Sequence, residues 1–282
     1  MVNFIGIGAQ RTGTSWVYAC LYEHPDICIP VKEIHFFSRP RYENGKEWYE
    51  DHFRKCKKES RCGEFSTSYL YSDVAAERIS KDYPEARIIV IVRNPITRAL
   101  SQYGNAIKGG EIPETMSFEE YYKSEASVLE QGRYVEQLER YLERFDRSQI
   151  LVLVYEDNKK DPRAFIHSIY EFLGVRSDFV PSMLHDTINA TRIPKNVVIE
   201  KMMHRFSEYL RRYGFDRLVH RIRQLGIPEL IRAMNTKPKK DERPVFNQEY
   251  LMNYFKNDVT KLSSLLGRDL NSEWGISDTH TQ

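Results

Sequence analysis

The chain has 282 residues, enough for one large α/β domain with a sizeable core. Hydrophobic residues make up 41% and charged residues 29%, and 42 Lys/Arg nearly balance 40 Asp/Glu, an ordinary globular composition. A formal charge of +2 gives no ground for nucleic-acid binding, and no apolar run reaches the length of about eighteen residues that a membrane span needs. The opening MVNFIGIGAQRTG lacks the basic, apolar and small-residue sections of a signal peptide, so cytoplasmic placement is expected.

Residues 4–8 read as a buried strand and 14–24 as the first helix, with Trp16, Val17, Cys20 and Leu21 inward at helical spacing. His24-Pro25 ends that helix. Residues 27–30 form a short edge or connector, and Lys32–Phe37 mixes charge and bulk too closely for an ordinary core element. Loops and a short helix around 45–54 follow, then a strand end within 62–70 and a helix over 73–82. Ala86–Val92 is the clearest strand, and its continuous apolar run suits a parallel strand covered on both faces. It ends in Arg93-Asn94-Pro95, and a helix over 96–107 follows. Residues 118–145 are mostly helical with a break near Gly132, and 150–155 is the next buried strand. Asp161-Pro162 opens a helix that Gly174 caps. This alternation defines an α/β fold with a central, mostly parallel sheet flanked by helices in three layers.

Residues 192–243 differ in character, with 14 Lys/Arg against 6 Asp/Glu. The segment 198–223 is amphipathic, with Val198, Met202, Phe206, Leu210, Leu218 and Ile222 as the inward positions. The basic stretch is either a pair of solvated helices or a surface that steers an acidic acceptor. A last helix spans 250–266. The expected organisation is a single domain over 1–282, with its core in about 1–180 and a helical, basic extension over about 190–270.

The cysteines are Cys20, Cys28, Cys56 and Cys62. Free thiols are the simplest reading in a reducing compartment, and Cys56 and Cys62 are close enough in KCKKESRC to close a small loop. No ligand cluster surrounds them in sequence, so no metal site is expected.

The chemistry starts at Gly8-Ala9-Gln10-Arg11-Thr12-Gly13-Thr14-Ser15. A strand running through a glycine turn into a helix exposes backbone N–H groups, and the helix start adds positive potential. The glycines and Ser15 fit a phosphate loop, but Thr14 stands where the Walker pattern has lysine, and the strong cation of the loop is Arg11. Thr12, Thr14 and Ser15 add hydroxyls. A second constellation, Arg93-Asn94-Pro95-Ile96-Thr97-Arg98-Ala99-Leu100-Ser101, begins where the strongest strand ends, at the ligand-binding edge of an open α/β sheet. Arg93 and Ser101 flank the first turns of its helix and suit one anion, whereas Arg98 reads as solvated or ion-paired. No strand ends in a metal-binding aspartate of the Walker-B kind; Tyr155-Glu156-Asp157 is the nearest approach. A missing lysine and a missing acidic ligand together disfavour a Mg-nucleoside-triphosphate enzyme.

Four stretches, correctly ordered, resemble the sulfotransferases that use 3′-phosphoadenosine 5′-phosphosulfate (PAPS), in the bacterial and heparan-sulfate-type branch: GAQRTGTSWV, KEIHFF, GEFSTSYL and RNPITRALSQY. Gly132-Arg133-Tyr134, the FLG at 172–174, Asn189–Arg192 and YF…LLGRDL…W near the end fit as well, so the resemblance spans most of the chain. It implies sulfuryl transfer from PAPS to a hydroxyl, or an amine, of a carbohydrate or small-molecule acceptor, with no metal. It places the 5′-phosphosulfate at Arg11, Thr12, Gly13, Thr14, Ser15 and Trp16, and the 3′-phosphate at Arg93 and Ser101, with Arg192 covering that phosphate or the adenine. Arg11 stands where the family usually has a lysine that stabilises the leaving oxygen; a planar guanidinium supplies the charge but gives up no proton. Glu33 is the implied base, tuned by Lys32 and His35, with His35 as the alternative base or as a residue orienting Glu33. Lys32 is expected at the transferring sulfonate, Glu64 and Ser66 at the acceptor side, and Tyr69 in the core. Phe36, Phe37, Trp48 and Tyr49 read either as an acceptor pocket or as core. Two other functions stay open beside this one: a small-molecule or nucleoside kinase with an altered loop, and a non-catalytic anion- or PAPS-binding protein.

Overall fold

Five parallel strands carry the fold. In the computed structural model, which describes residues 2–58, 60–185, 202 and 244–276, β1 (Phe4–Gly8), β2 (Ile27–Cys28), β3 (Arg61–Phe65), β4 (Arg87–Val92) and β5 (Ile150–Val154) form one sheet in the order β2-β3-β1-β4-β5. Phe4 of the central strand sits opposite Gly63 on one side and Arg87 on the other, and Ile88 pairs with Ile150. Parallel neighbours need crossovers, and helices supply them: α1 (Thr14–Glu23), α2 (Lys46–Asp51), α3 (Ala75–Asp82), α4 (Pro95–Gly109), α5 (Phe118–Ser124), α6 (Ser127–Glu130), α7 (Tyr134–Leu142), α8 (Tyr155–Lys160) and α9 (Pro162–Leu173). A helical C-terminal region follows, with α10 (Gln248–Leu266) and α11 (Leu270–Trp274).

The alternation along β4 explains its apolar run. Ile89 and Ile91 join Phe4 in a core cluster that α1 closes with Val17 and Leu21, and α9 with Ile166 and Tyr170. Ile88, Val90 and Val92 point the other way and are equally buried, so the strand is covered on both faces. Each such fully buried aliphatic side chain contributes roughly 1.5–3 kcal/mol.

The chain resolves into two compact units. One comprises 1–99, 126–188 and 247–282, and holds the whole sheet; the other comprises 100–125 and 189–246. In the second unit Ser117 and Glu120 form a capping box that starts α5, and Tyr103 donates to the Met116 carbonyl at 2.6 Å. Met202, expected inward, is 65% exposed. Arg192 and, Met202 apart, the rest of the basic stretch 192–243 lie outside the described residues.

Two expectations are corrected here. The bridge joins Cys28 to Cys56, not Cys56 to Cys62, and leaves Cys20 and Cys62 as buried thiols. The turn in which the Cys56 N–H bonds Phe53 carries Cys56 back to the sheet edge at the end of β2. The strand expected over 150–155 ends at Val154, and Tyr155 opens α8. No helix among the described residues is long and apolar enough to cross a membrane.

Candidate active site

The C-terminal end of β1 delivers the phosphate loop. Gly8 and Gly13 both take positive φ, and a Cβ on Gly13 would meet the Tyr155 ring at 2.8 Å, so only glycine fits there. The N–H groups of Thr14 and Ser15 open α1 and have no intrahelical acceptor, the arrangement that favours an anion. The Thr12 hydroxyl, expected to face the anion, instead donates to the Ala9 carbonyl at 2.7 Å and braces the loop from inside. Trp16 is a core residue: its indole N–H donates to the Met183 carbonyl and its ring lies against Phe165. The Arg11 guanidinium is held below its ordinary pKa, first by burial and then by the nearby Arg93 cation. Two cations kept close in a half-buried setting form a site prepared for an anion.

A second loop, Lys32–Phe37, leans against the first. Lys32 Nζ donates to Ser15 Oγ at 2.7 Å and lies 3.7 Å from Glu33 Oε1. Accepting from Lys32 leaves the Ser15 hydroxyl proton free to donate. Thr67 Oγ1 also donates to Glu33, at 3.3 Å, and the Glu33 side chain is 36% exposed. His35 Nδ1 is bonded to Ser68 Oγ at 2.7 Å, and Ser68 in turn to Ser38 at 2.7 Å. So Nδ1 is engaged away from Glu33, and burial pushes the His35 imidazole below its usual pKa.

Backbone strain marks the same residues. Among the described residues, the non-glycine positions with left-handed φ are Arg11 (69°), Glu33 (62°) and His35 (55°). Each costs about 1–3 kcal/mol and persists only where its surroundings hold it. For the second loop the holder is Glu64, fully buried at the end of β3. Its carboxylate accepts from the Ile34 N–H (3.2 Å) and from the hydroxyls of Ser66 (2.5 Å), Tyr49 (3.1 Å) and Tyr69 (2.6 Å). Tyr69 OH in turn accepts from the Phe36 N–H, and Ser66 Oγ from the His35 N–H. Burial pushes the Glu64 carboxyl upward in pKa, and these four donors work against that shift. Glu64 and Ser66 therefore brace the loop from beneath instead of lining an acceptor pocket. Phe36, Phe37 and Tyr49 are likewise buried, with Trp48 stacked on Phe36, and they read as core.

The third part is the end of β4. Asn94 Oδ1 accepts from the Ile96 and Thr97 N–H groups and caps α4, with Pro95 in its first turn. Arg93 Nη1 donates to the Arg11 carbonyl at 3.0 Å, its Nε to Thr97 Oγ1 at 3.0 Å, and its guanidinium lies 4.7 Å over the Tyr155 ring. Two of its five N–H donors are used in these bonds. Arg98, expected to be solvated or ion-paired, is fully buried and donates to the Val128 carbonyl. Ser101 lies further along α4, in the second unit.

Residues distant in sequence buttress this turn. Tyr134 OH donates to the Arg93 carbonyl at 2.8 Å, and Asp258 of α10 caps α7 through the Tyr134 and Val135 N–H groups. Glu156 accepts from the Asn94 N–H and from the Trp274 indole, while Asp157 pairs with Arg268. Glu156 and Asp157, the nearest approach to a metal-binding carboxylate pair of a kinase, are thus engaged in structural bonds. Lone Tyr, Asp and Trp residues give no motif of their own, so sequence reasoning had only the resemblance to find them.

The C-terminal end of the central parallel strand thus sets a glycine loop and the start of a helix beside a lysine and a carboxylate. Over residues 3–212 the sequence matches the sulfotransferase domain family, and the chain belongs to that family. It is 32% identical over 177 residues to heparan sulfate glucosamine 3-O-sulfotransferase 3B1 of Mus musculus, covering 60% of this chain and 45% of that protein. It is 31% identical over 194 residues to bifunctional heparan sulfate N-deacetylase/N-sulfotransferase 3 of Homo sapiens, covering 61% and 22%. The chain thus spans less than half the length of these curated relatives. The crystal structure of a sulfotransferase from Alicyclobacillus acidocaldarius superposes with a TM-score of 0.69 at 28% identity, covering 98% of this chain and 99% of that one.

Proposed function

We propose that the protein transfers a sulfuryl group from PAPS to a hydroxyl of a carbohydrate or small-molecule acceptor, releasing adenosine 3′,5′-bisphosphate. One observation carries this reading: Lys32 bridges the phosphate loop and the Glu33 carboxylate, reaching Ser15 at 2.7 Å and Glu33 at 3.7 Å. A base, a cation and a phosphate cradle are what sulfuryl transfer requires side by side.

The acceptor oxygen attacks sulfur, the bond from sulfur to the bridging phosphate oxygen breaks, and Glu33 takes the acceptor proton. Arg11, Lys32, Ser15 and the N–H groups that open α1 stabilise the charge that gathers on the leaving oxygen. Arg11 acts as a fixed charge and not as an acid. Arg93 holds the 3′-phosphate through the donors not engaged by Thr97 and Arg11. The sulfonate carries a single charge and the leaving group is a phosphate, so this chemistry requires no metal. A glycan acceptor is supported by the heparan-sulfate relatives, one named for transfer to oxygen and one for transfer to nitrogen.

The test is turnover of sulfur-labelled PAPS with a panel of glucosamine-containing glycans in the presence of a chelator. Acceptor-dependent release of the bisphosphate is expected. Bisphosphate binding with no transfer to any acceptor would favour the non-catalytic alternative.

A further inference from the structure

We infer that Cys28, Cys56 and Cys62 form a soft-metal site in the reduced protein, taking a zinc-type divalent cation, and that the Cys28–Cys56 bridge is the state that closes it. The three sulfurs come from three places. Cys28 ends β2, Cys62 lies opposite it in register on β3, and Cys56 arrives through the turn after α2. All three Sγ atoms lie within 4.8 Å of one another. The bridge uses two of them and leaves the Cys62 thiol buried beside it.

The disulfide uses two of the sulfurs and leaves the Cys62 thiol donating to the Ser60 carbonyl at 3.5 Å, whereas a metal uses all three. Tetrahedral zinc with Zn–S bonds of about 2.3 Å sets its sulfur ligands about 3.8 Å apart, within small side-chain shifts of this cluster. Cys62 is buried while Cys28 and Cys56 are half-buried, so solvent reaches one side. That side provides an entry path and a fourth position for water. Zinc with three thiolates carries one net negative charge. The exposed Lys55, Lys57 and Lys58, next to Cys56 in sequence, offset it. Thiolate donors select zinc and similar soft ions over magnesium or calcium.

The two states exclude each other because they share sulfurs. A thiol reductant delivers two electrons and two protons to the bridge, the S–S bond becomes two S–H groups, and the reductant leaves as its own disulfide. Three S–H protons are then released as three S–Zn bonds form, with no change in the oxidation state of zinc. In the reducing compartment expected from the sequence the metal-binding state is the accessible one.

The experiment reduces the purified chain with a phosphine, removes the phosphine without air, and titrates with zinc alone against a chromophoric chelator. One zinc per reduced chain is expected, and none when the bridge is left intact. Cys62→Ser removes a direct ligand and should weaken binding by at least about 100-fold, the most that loss of an outer-shell partner costs, and Cys20→Ser should leave it unchanged. Cobalt added to the reduced wild-type chain should give an intense near-ultraviolet thiolate-to-metal absorption, a readout that needs no variant to fold. Absence of that band, or zinc bound equally by the oxidised chain or by folded Cys62→Ser, would overturn the proposal.

Discussion

Lys32 Nζ donates to Ser15 Oγ at 2.7 Å, and that single bond joins the glycine loop after β1 to the loop that carries Glu33. The Walker lysine is absent from the loop itself, where Thr14 takes its place. A lysine nonetheless reaches the loop, from a segment 17 residues further along the chain.

Replacing Lys32 by Ala should therefore damage turnover more than donor binding. Loss of one preorganised donor to developing charge costs about 10²–10³ in kcat. The Ser15 hydroxyl and the helix N–H groups would still hold the bisphosphate. Steady-state kinetics, set beside the bisphosphate affinity of the variant, separate the two effects.

Glu33→Gln keeps the side-chain shape but removes the proton acceptor. Transfer should fall about 10²–10⁴-fold, the usual scale for a general base, with bisphosphate affinity unchanged. Transfer that survives the substitution would move the base to another residue, His35 being the nearest alternative.

Glu64→Gln tests the brace beneath the strained loop. One carboxylate accepts four donors here, whereas the amide nitrogen of Gln accepts none. Leaving buried donors unmatched should cost about 1–3 kcal/mol in urea unfolding. Turnover should fall as well, because Glu33 and His35 lose the support that keeps their φ positive.

His35 should impose a pH slope on stability. Burial lowers its folded-state pKa beneath the unfolded value of about 6.5. The unfolded chain therefore takes up the proton first as pH falls. The contribution is complete above about pH 6.5 and is lost as pH drops through the folded value. The difference in unfolding free energy between wild type and His35→Gln should shrink on going from about pH 8 to about pH 5. A flat difference would mean that the imidazole is not buried as described.

Much of the fold was legible because its signals are local and repetitive. The apolar run of β4, the spacing of Val17, Cys20 and Leu21, and the Asp161-Pro162 and Gly174 boundaries of α9 each state their element directly. The site loops were found as motifs, but the roles within them were not. Thr12 turned to Ala9, and Glu64 turned under the loop instead of toward the acceptor. Those directions depend on β1 and β3 lying side by side, with Ile5 opposite Glu64, a long-range fact that no short pattern carries. The Cys28–Cys56 pairing was illegible for the same reason, because the turn from Phe53 to Cys56 after α2, and not any spacing along the chain, carries Cys56 to the end of β2.

Calorimetric titration with adenosine 3′,5′-bisphosphate and with ADP, both in the presence of a metal chelator, tests the donor site most directly. Micromolar binding of the bisphosphate with far weaker binding of ADP is expected, on the order of −8 kcal/mol for the former. Equal affinities, or bisphosphate binding that appears only when magnesium is restored, would contradict the assignment of this site to PAPS.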